Sequence, residues 1–326
     1  MPLSKEVLQQ ARKRIDESES ILVATHVGPD GDAVGSTLGL GLALQAKGKK
    51  VQMVLNDGLP KDFDHLEGAE QIVEKASAED VDLVIAVDCG DQERLGAAIA
   101  RDSKVHINID HHMTNTHFGE INLVDIETVA AAALLAENLE DLGLSFSPAV
   151  VDALLTGTLT DTLGLRTSNM TPNALRVAAD LLERGANIQM LYEKALLRRS
   201  FEAMRYWGQG LVKLQIEDGL LWSTLTLEDR KAAGYKNGGD AELINSLAST
   251  EGASITLLVI EENEKQSKVS WRSRGDFDVA TLAASFGGGG HRAASGATVK
   301  GTLEEVLARV LAASRELLNA SPTKAE

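Results

Sequence analysis

The sequence contains apolar runs of strand length that alternate with helical patterns, and this alternation limits the fold more than any other feature. Three of the runs, Ser20–Thr25, Leu83–Val87 and Val105–Ile109, are each followed directly by acidic or histidine side chains. Apolar runs separated by helices are typical of parallel strands that are buried on both faces of a sheet. We therefore predict an α/β fold whose N-terminal half is a mainly parallel sheet with helices on both faces.

The remaining pattern predicts further elements and a change of architecture near residue 195. In the first half we expect a strand at Val51–Leu55 and helices at Ala33–Gln45, Ala130–Leu142, Pro148–Leu155 and Pro172–Glu183. In the second half we expect a hairpin of Leu211–Ile216 with Leu220–Leu225, a strand pair of Ile255–Ile260 with Lys268–Arg274, and helices at Val279–Phe286 and Leu303–Leu318. A length of 326 residues favours two domains, which we place at residues 1–195 and 196–326.

The charge balance argues against long nucleic acid as a partner. The chain has 32 basic and 48 acidic residues, a formal net charge of −16. A protein that follows a duplex needs a basic surface to displace counterions, whereas a small anion needs only a few local cations or metal ions. An aromatic content of 4% also argues against a stacking channel along a single strand.

The cysteine content and the hydropathy pattern bear on location. Cys89 is the single cysteine, which excludes an intrachain disulfide and favours a reducing compartment. The sequence shows neither a signal-peptide pattern nor an apolar run of about 18 residues, so we expect no membrane partner and a cytoplasmic location. A homodimer is compatible with the sequence, which leaves the oligomeric state open.

Carboxylates and imidazoles follow the predicted strands. They are His26, Asp30 and Asp32 after the first run, Asp88 after the second, and Asp110, His111 and His112 after the third. A fourth carboxylate, Asp161, follows an apolar helix. Taken singly, most of these are ordinary turn residues, and Asp32 is also a candidate N-cap for the helix that starts at Ala33.

The combination of clusters predicts a metal site. The carboxyl ends of parallel strands lie on one edge of a sheet, so these side chains would crowd together and their charges would repel. Asp30, Asp32, Asp88 and Asp161 carry about four negative charges, enough to balance two divalent ions. Mixed histidine and carboxylate ligands suit first-row metals such as Mn²⁺, with Mg²⁺ or Co²⁺ as alternatives.

These motifs resemble those of the DHH phosphoesterase superfamily, in its RecJ/NrnA branch. The resemblance extends over about residues 18–300 and includes the segment from Phe286 to Gly296, which is similar to the glycine-rich signature of the DHH-associated C-terminal domain. The chain length resembles that of the compact nanoRNase/pAp-phosphatase members. One departure is Thr128–Ala133, which keeps a single hydroxyl where many relatives are rich in Ser and Thr.

The resemblance implies a role for each cluster residue. One metal ion would be held by His26, Asp30 and Asp88, and a second by Asp32, Asp88, His111 and Asp161, with Asp88 as the bridge. His112 would face the substrate phosphate, and Asp110 would orient a ligand histidine. The implied activity is two-metal hydrolysis of short RNA oligonucleotides to mononucleotides and of 3′-phosphoadenosine 5′-phosphate to AMP.

The second domain contains candidate substrate contacts. A glycine-rich loop gives backbone amides open access to an anion, and two polar side chains follow it, so we predict phosphate contacts at Gly288, Gly289, Gly290, His291 and Arg292. Arg272 is a further candidate, because it matches an arginine of the family. We expect the substrate to bind in a cleft between the two domains, which would favour short substrates.

Other functions stay open at this point. A phosphodiesterase for cyclic dinucleotides or their linear products would use the same site. A pyrophosphatase shares the first domain's motifs, although the glycine-rich signature counts against it. A nucleotide sensor without catalysis is an alternative of another class, but the complete ligand set argues against it.

Overall fold

The chain divides into two compact units, Met1–Arg198 and Arg199–Glu326. A computed structural model of the protein describes residues 3–100 and 103–320. Across these described residues, no helix is both long and apolar enough to span a bilayer.

The first unit is built on a parallel sheet whose strands follow the order β3-β2-β1-β4-β5-β6. The predicted strands are present, with ends that differ by one or two residues. The strands are β1 (Ser20–Ala24), β2 (Lys50–Val54), β3 (Ile72–Val73), β4 (Leu83–Val87), β5 (Ile107–Asp110) and β6 (Ile121–Val124). The predicted mainly parallel sheet is therefore confirmed, and β3 and β6 are additions to it.

Alternate side chains of this sheet enter two separate cores. On β1, Ile21 and Val23 face the larger core, which the helices cover, whereas Leu22 and Ala24 face a smaller one. Within the described residues, the smaller core is closed by Leu95, which ends a 3-10 turn, and by Ala98, Ile99 and Val105. Burial of each large aliphatic side chain stabilises the fold by about 1.5–3 kcal/mol.

The helices of the first unit, except the third, begin at a residue whose side chain caps them. They are α1 (Lys5–Glu17), α2 (Gly31–Ala46), α3 (Ala131–Asn138), α4 (Pro148–Asp161), α5 (Pro172–Glu183) and α6 (Ile188–Tyr192). Thr171 caps α5 ahead of Pro172, by accepting from the amide of Ala174. Asp32 was the wrong choice of N-cap for α2: Asp30 caps that helix by accepting from the amides of Asp32 and Ala33.

The second unit contains another six-stranded sheet, in the order β11-β12-β10-β9-β8-β7. Its pairs are antiparallel except β8 with β9. The strands are β7 (Gln215–Glu217), β8 (Leu220–Leu225), β9 (Ile255–Asn263), β10 (Gln266–Ser273), β11 (Gly289–His291) and β12 (Ala294–Lys300). The helices are α7 (Phe201–Leu211), α8 (Leu227–Ala233), α9 (Leu243–Leu247), α10 (Val279–Ser285) and α11 (Leu303–Ala320).

Helices cover both faces of this second sheet. Trp271 on β10 lies in the core that α10 and α11 close, and its indole N–H donates to Ser314 Oγ at 3.1 Å. Tyr206 of α7 lies in the core on the opposite face. Two predictions were wrong here. Leu211 ends a helix rather than starting a strand, and the end of the glycine-rich segment, Gly289–His291, forms the edge strand β11 rather than part of a loop.

Candidate metal centre

The polar clusters follow β1, β4 and β5, which are neighbours in the first sheet. The chain leaves β1 toward one edge through β2 and β3 and returns to the other side at β4, so the strand order reverses between β1 and β4. In open α/β sheets, ligands bind at the carboxyl ends of strands at such a reversal. His26 and Asp88 follow these two strands and lie together, with His26 Nε2 3.4 Å from Asp88 Oδ2.

Asp88 occupies the centre of the cluster. It is buried, and its φ of +50° is in the left-handed region that a residue other than glycine seldom adopts. His111 Nε2 lies 3.5 Å and His112 Nδ1 3.7 Å from Asp88 Oδ1. This oxygen has no hydrogen-bond partner among the described residues. A buried carboxylate oxygen without a donor normally indicates a missing water or ion.

The imidazole of His26 has the orientation expected of a metal ligand. Its Nδ1 lies 2.9 Å from the carbonyl oxygen of Val27, which can only accept, so Nδ1 carries the proton. Nε2 then carries the lone pair and faces carboxylates, with Asp30 Oδ1 at 4.0 Å. Metal-binding histidines are commonly held in this way by a backbone carbonyl.

His111 lies among three carboxylates from three different elements. Its Nε2 is 3.7 Å from Asp32 Oδ2, 3.5 Å from Asp88 Oδ1 and 3.7 Å from Asp161 Oδ2. Asp161 is the last residue of α4, because this helix continues six residues beyond the end predicted at Leu155. The site therefore draws on helix α4 as well as on the strand ends.

The pKa values of this cluster are strongly shifted. Burial would lower the pKa of His111, but the nearby carboxylates, Asp88 first among them, raise it to about 10. Burial and the charges of Asp88 and Asp30 raise the pKa of Asp161 to about 6, although His111 opposes this. Burial and the charges of Asp88 and Asp161 raise the pKa of Asp32 well above its usual value. Protons therefore balance the crowded charges when no cation is bound.

Backbone amides fix the carboxylate of Asp32. Its Oδ2 accepts from the amide of Ala131 at 2.6 Å, and its Oδ1 accepts from the amide of Ala132 at 2.9 Å. Ser36 Oγ also donates to Oδ1, at 3.2 Å. The two amides belong to the first turn of α3, whose own N-cap residue, Ala130, provides no side-chain hydrogen bond. Asp32 thus replaces the missing cap of α3.

The helices that carry Asp32 and Asp161 approach each other closely. A β-carbon on Gly35 of α2 would lie 2.5 Å from the carbonyl oxygen of Ala153 on α4. A β-carbon on Gly157 of α4 would lie 2.9 Å from Asp32 Oδ1. Only glycine permits this separation, and the separation brings the two carboxylates to the same histidine.

Asp110 contacts His112 rather than His111. Its Oδ1 lies 2.7 Å from His112 Nδ1. Asp110 was expected to orient a ligand histidine, and it instead orients the histidine that was expected to face the substrate. Its Oδ2 accepts from Asn115 Nδ2 at 2.5 Å. Sequence reasoning missed Asn115 and the buried Asn108 beside it, because a neutral amide after a strand carries no charge signal.

The donor set fits divalent metal ions. Two groups of potential ligand atoms, each within 4.8 Å of one another, are His26 with Asp30 and Asp88, and Asp32 with His111 and Asp161. A third group combines Asp88, His111 and His112. Asp88 belongs to the first and third groups, and its unpartnered Oδ1 lies beside His111 and His112 of the third. Oxygen and imidazole donors with several carboxylate charges suit Mn²⁺, Mg²⁺ or Co²⁺.

The candidate substrate contacts of the second unit have mixed accessibility. Arg272 is half-buried, and its Nε donates to Asn245 Oδ1 at 3.0 Å. The amide of Gly288 donates to the carbonyl of Ala283, so it is not free to bind an anion. Arg292 lies on the surface and donates to the carbonyl oxygen of Asp276 at 2.7 Å. The remaining candidates, Gly289, Gly290 and His291, form the exposed edge strand β11.

A parallel α/β sheet with this edge of carboxylates and imidazoles is typical of a metal-dependent hydrolase. Comparison with known families agrees. Residues 20–158 match the DHH family, N-terminal domain, and residues 224–320 match the DHHA1 domain. The chain is 36% identical, over 91% of its length and 90% of the relative's, to the bifunctional oligoribonuclease and PAP phosphatase NrnA of Thermus thermophilus. The protein therefore belongs to the DHH family of phosphoesterases and is a hydrolase, as its motifs predict.

Solved structures share this fold. An exopolyphosphatase-related protein from Bacteroides fragilis superposes with a TM-score of 0.85 at 24% identity, covering 97% of this chain and 96% of that one. RecJ of Thermus thermophilus, solved in complex with Mn²⁺, gives a TM-score of 0.55 at 17% identity and covers 99% of this chain and 56% of RecJ. At these identities the likeness concerns the fold alone.

Proposed function

We propose that this protein is a manganese-dependent enzyme that hydrolyses short oligoribonucleotides to mononucleotides and 3′-phosphoadenosine 5′-phosphate to AMP. The main support is the position of Asp88, a buried carboxylate that lies between His26, His111 and His112 and has one unpartnered oxygen. The NrnA relative, which matches most of the chain, supports the choice of substrates.

The proposed ligand sets follow the two clusters of donor atoms. His26, Asp30 and Asp88 would hold one ion. Asp32, His111 and Asp161 would hold a second, with Asp88 shared between them. The short distances among these donors support this arrangement, since His111 Nε2 lies within 3.7 Å of Asp32, Asp88 and Asp161.

The protein's own groups have defined roles in the proposed reaction. Divalent ions, when bound, supply Lewis-acid stabilisation of a phosphoryl group and activate water for attack. Asp110 accepts from Nδ1 of His112 and so leaves Nε2 to contact the substrate. In its protonated form His112 would donate to a phosphoryl oxygen and stabilise the charge that develops there. We assign His112 as a catalytic residue and Asp110 as its positioning residue.

The second unit is proposed to bind the rest of the substrate. Arg272 is the strongest candidate for a phosphate contact, because Asn245 and the Trp271 carbonyl hold its guanidinium in one orientation. Further candidates are Gly289, Gly290, His291 and Arg292. Gly288 remains a candidate only as part of the backbone that shapes this segment, because its amide already donates to the Ala283 carbonyl. The boundary of this substrate-binding domain is proposed near residue 195.

The net charge of the protein favours short substrates. A net charge of −16 would repel a long polyanion, whereas a dinucleotide has little charge outside the part that would bind at the metal site. The single, buried cysteine suits a reducing setting, and we propose a cytoplasmic location.

The decisive experiment measures Mn²⁺-dependent hydrolysis of 5′-labelled RNAs, from dinucleotides to long oligomers, and of 3′-phosphoadenosine 5′-phosphate. We expect release of mononucleotides that declines with RNA length, together with AMP from the bisphosphate. Equal turnover of long and short RNA would contradict the length restriction. Turnover confined to cyclic dinucleotides or their linear products would replace the proposed substrates.

Matched variants connect this activity to the site. Asp88→Asn should reduce bound Mn²⁺ and lower kcat/KM by more than about 100-fold, because it removes the carboxylate shared by both clusters. Asp91→Asn is the control, since Asp91 lies three residues away and caps a 3-10 turn through the amide of Glu93. Full activity of the Asp88→Asn protein would refute the metal assignment.

A further inference from the structure

Asn115 joins the metal cluster to a buried amide network. Its Nδ2 donates to Asp110 Oδ2 at 2.5 Å and to Asn108 Oδ1 at 2.8 Å. Asn108 is fully buried, and its own Nδ2 donates to the carbonyl of Cys89 at 3.1 Å. The backbone of Cys89 directly follows the central carboxylate, so the network ties the end of β5 to the end of β4.

The network commits both oxygens of Asp110. Oδ2 accepts from Asn115 and Oδ1 pairs with Nδ1 of His112. Asp110 is completely buried, so a rotation of its carboxylate would break the hydrogen bond from Asn115 and leave a buried carboxylate oxygen without that donor. Loss of a donor to a buried charge is costly, so the network opposes the rotation.

We propose that Asn115 is a positioning residue for the hydrolysis proposed above: it locks Asp110 as the partner of His112 and keeps this carboxylate from becoming a metal ligand. The inference rests on that proposed function for its catalytic consequence only. Without the Asn115 side chain, Asp110 would be one more carboxylate beside Asp88. His112 would then lose its fixed tautomer, and its Nδ1, which lies 3.7 Å from Asp88 Oδ1, would be free to act as a ligand.

The positioning role is separable from the role of Asn115 in its own loop. Its side-chain oxygen accepts from the amide of His117 at 2.7 Å, which shapes the turn after the metal cluster. Its side-chain nitrogen makes the contacts with Asp110 and Asn108. Asn115→Asp keeps an oxygen for the turn and replaces the donor with an acceptor, whereas Asn115→Ala removes the donor without adding charge beside Asp110.

The primary test measures the tautomer of His112 in metal-free protein by long-range ¹H–¹⁵N NMR, with His112→Gln used for assignment. In the wild type we expect a single Nδ1–H tautomer. In Asn115→Asp and in Asn115→Ala we expect a mixture of tautomers. An unchanged Nδ1–H signal in both variants would overturn the proposal. Because no substrate is present, this outcome does not depend on the proposed activity.

Kinetics provide the second readout. Both variants should lower kcat by about 10- to 100-fold, the usual effect of removing a partner that orients a site residue, with KM for the dinucleotide unchanged. A rise in KM of the same size, with kcat unaltered, would contradict the positioning role. If the wild type fails to hydrolyse any substrate, the proposed function fails, and the NMR result still decides the role of Asn115.

A matched control separates positioning from loop stability. Asn122 makes the same kind of local pair, accepting from the amide of Gly119 at 3.0 Å and donating to its carbonyl at 2.7 Å. Asn122→Asp should therefore change neither the tautomer of His112 nor kcat. If it reproduces the effects of Asn115→Asp, the effects reflect general loosening of the β5–β6 region and the proposal is wrong.

Discussion

Asp32 and Ala131 are 99 residues apart in sequence, yet the carboxylate of Asp32 accepts a hydrogen bond from the amide of Ala131 at 2.6 Å. The acceptor is the second residue of α2, and the donor is the first residue of α3. A residue of the metal cluster thus serves as the cap of another helix. The alanine-rich start of α3 therefore needs no hydroxyl of its own as a cap.

Removal of the Ala131 amide should weaken the site without removing any ligand. Proline is sterically allowed at this first helical position, because Ala130 before it is extended (φ −161°, ψ 150°). Ala131→Pro should lower the free energy of unfolding by about 1–3 kcal/mol and weaken Mn²⁺ binding, since Asp32 loses a donor. Urea denaturation and calorimetric titration measure the two effects.

The control for that change is Ala131→Ser, which adds bulk at the same buried position and keeps the amide. Equal loss of Mn²⁺ affinity in both variants would show that packing, and not the hydrogen bond to Asp32, is responsible.

A methyl group between α2 and α4 should separate two metal ligands. Gly35→Ala would place its β-carbon 2.5 Å from the Ala153 carbonyl oxygen, so the helices must move apart. We expect a loss of about 1–3 kcal/mol in stability, together with weaker metal binding. Gly208→Ala is the control, because nothing lies within 4 Å of its added carbon, and it should stabilise α7 by up to about 1 kcal/mol. Unchanged metal affinity in Gly35→Ala would refute the coupling.

The stability of metal-free protein should fall as pH rises. The folded-state pKa of Asp161 is raised from 3.8 to about 6 and that of His111 from 6.5 to about 10. A group with a raised pKa stabilises the fold below its unfolded pKa and loses this contribution as pH rises through its folded pKa. The Tm in EDTA should therefore decline in two steps, one within each of these intervals. The lowered pKa of Asp88 acts with the opposite sign, but only below 3.8.

Variants assign the two steps. Asp161→Asn should reduce the decline below about pH 6, and His111→Gln the decline above it. Added Mn²⁺ should stabilise the wild type increasingly with pH, because metal binding displaces these protons. A Tm in EDTA that is constant across both intervals would contradict the prediction.

Cys89 should be inert in the folded protein despite its place beside Asp88. It is fully buried, its Sγ donates to the Asp91 carbonyl at 3.1 Å, and burial raises the pKa of the thiol to about 12. Reaction with a thiol-specific disulfide reagent near neutral pH should be slow in native protein and complete after unfolding in guanidinium. Rapid native labelling would show that this thiol is accessible. The single cysteine makes the measurement unambiguous.

The parts of the site that the sequence predicted are those that depend on local pattern alone. An apolar strand followed by Asp88 or by Asp110 and two histidines places charge at a known edge of the sheet, and the family resemblance added the roles. The end of α4 was harder to predict. The threonines before Asp161 favour a turn, but buried packing against α2 extends the helix to Asp161.

The parts that the sequence could not predict depend on tertiary contacts. The donors to Asp32 come from a distant helix, and the partner of Asp110 could have been either neighbouring histidine. The glycine-rich segment looked like a loop, because glycine has low strand propensity, yet pairing with β12 makes it an edge strand. Asn115 gave no signal, since its effect depends on a hydrogen bond to Asp110 rather than on charge.

The backbone conformation of Asp88 lowers the stability of the fold at a position that the proposed activity requires. Its φ of +50° is one that glycine adopts freely and that aspartate adopts at a cost of about 1 kcal/mol. Burial of its carboxylate opposes ionisation, but His111 and His26 outweigh this and lower its pKa, so the metal-free fold depends on all three side chains. Laboratory evolution for heat resistance alone should therefore exchange Asp88 only together with these histidines. Selection that requires turnover would retain all three.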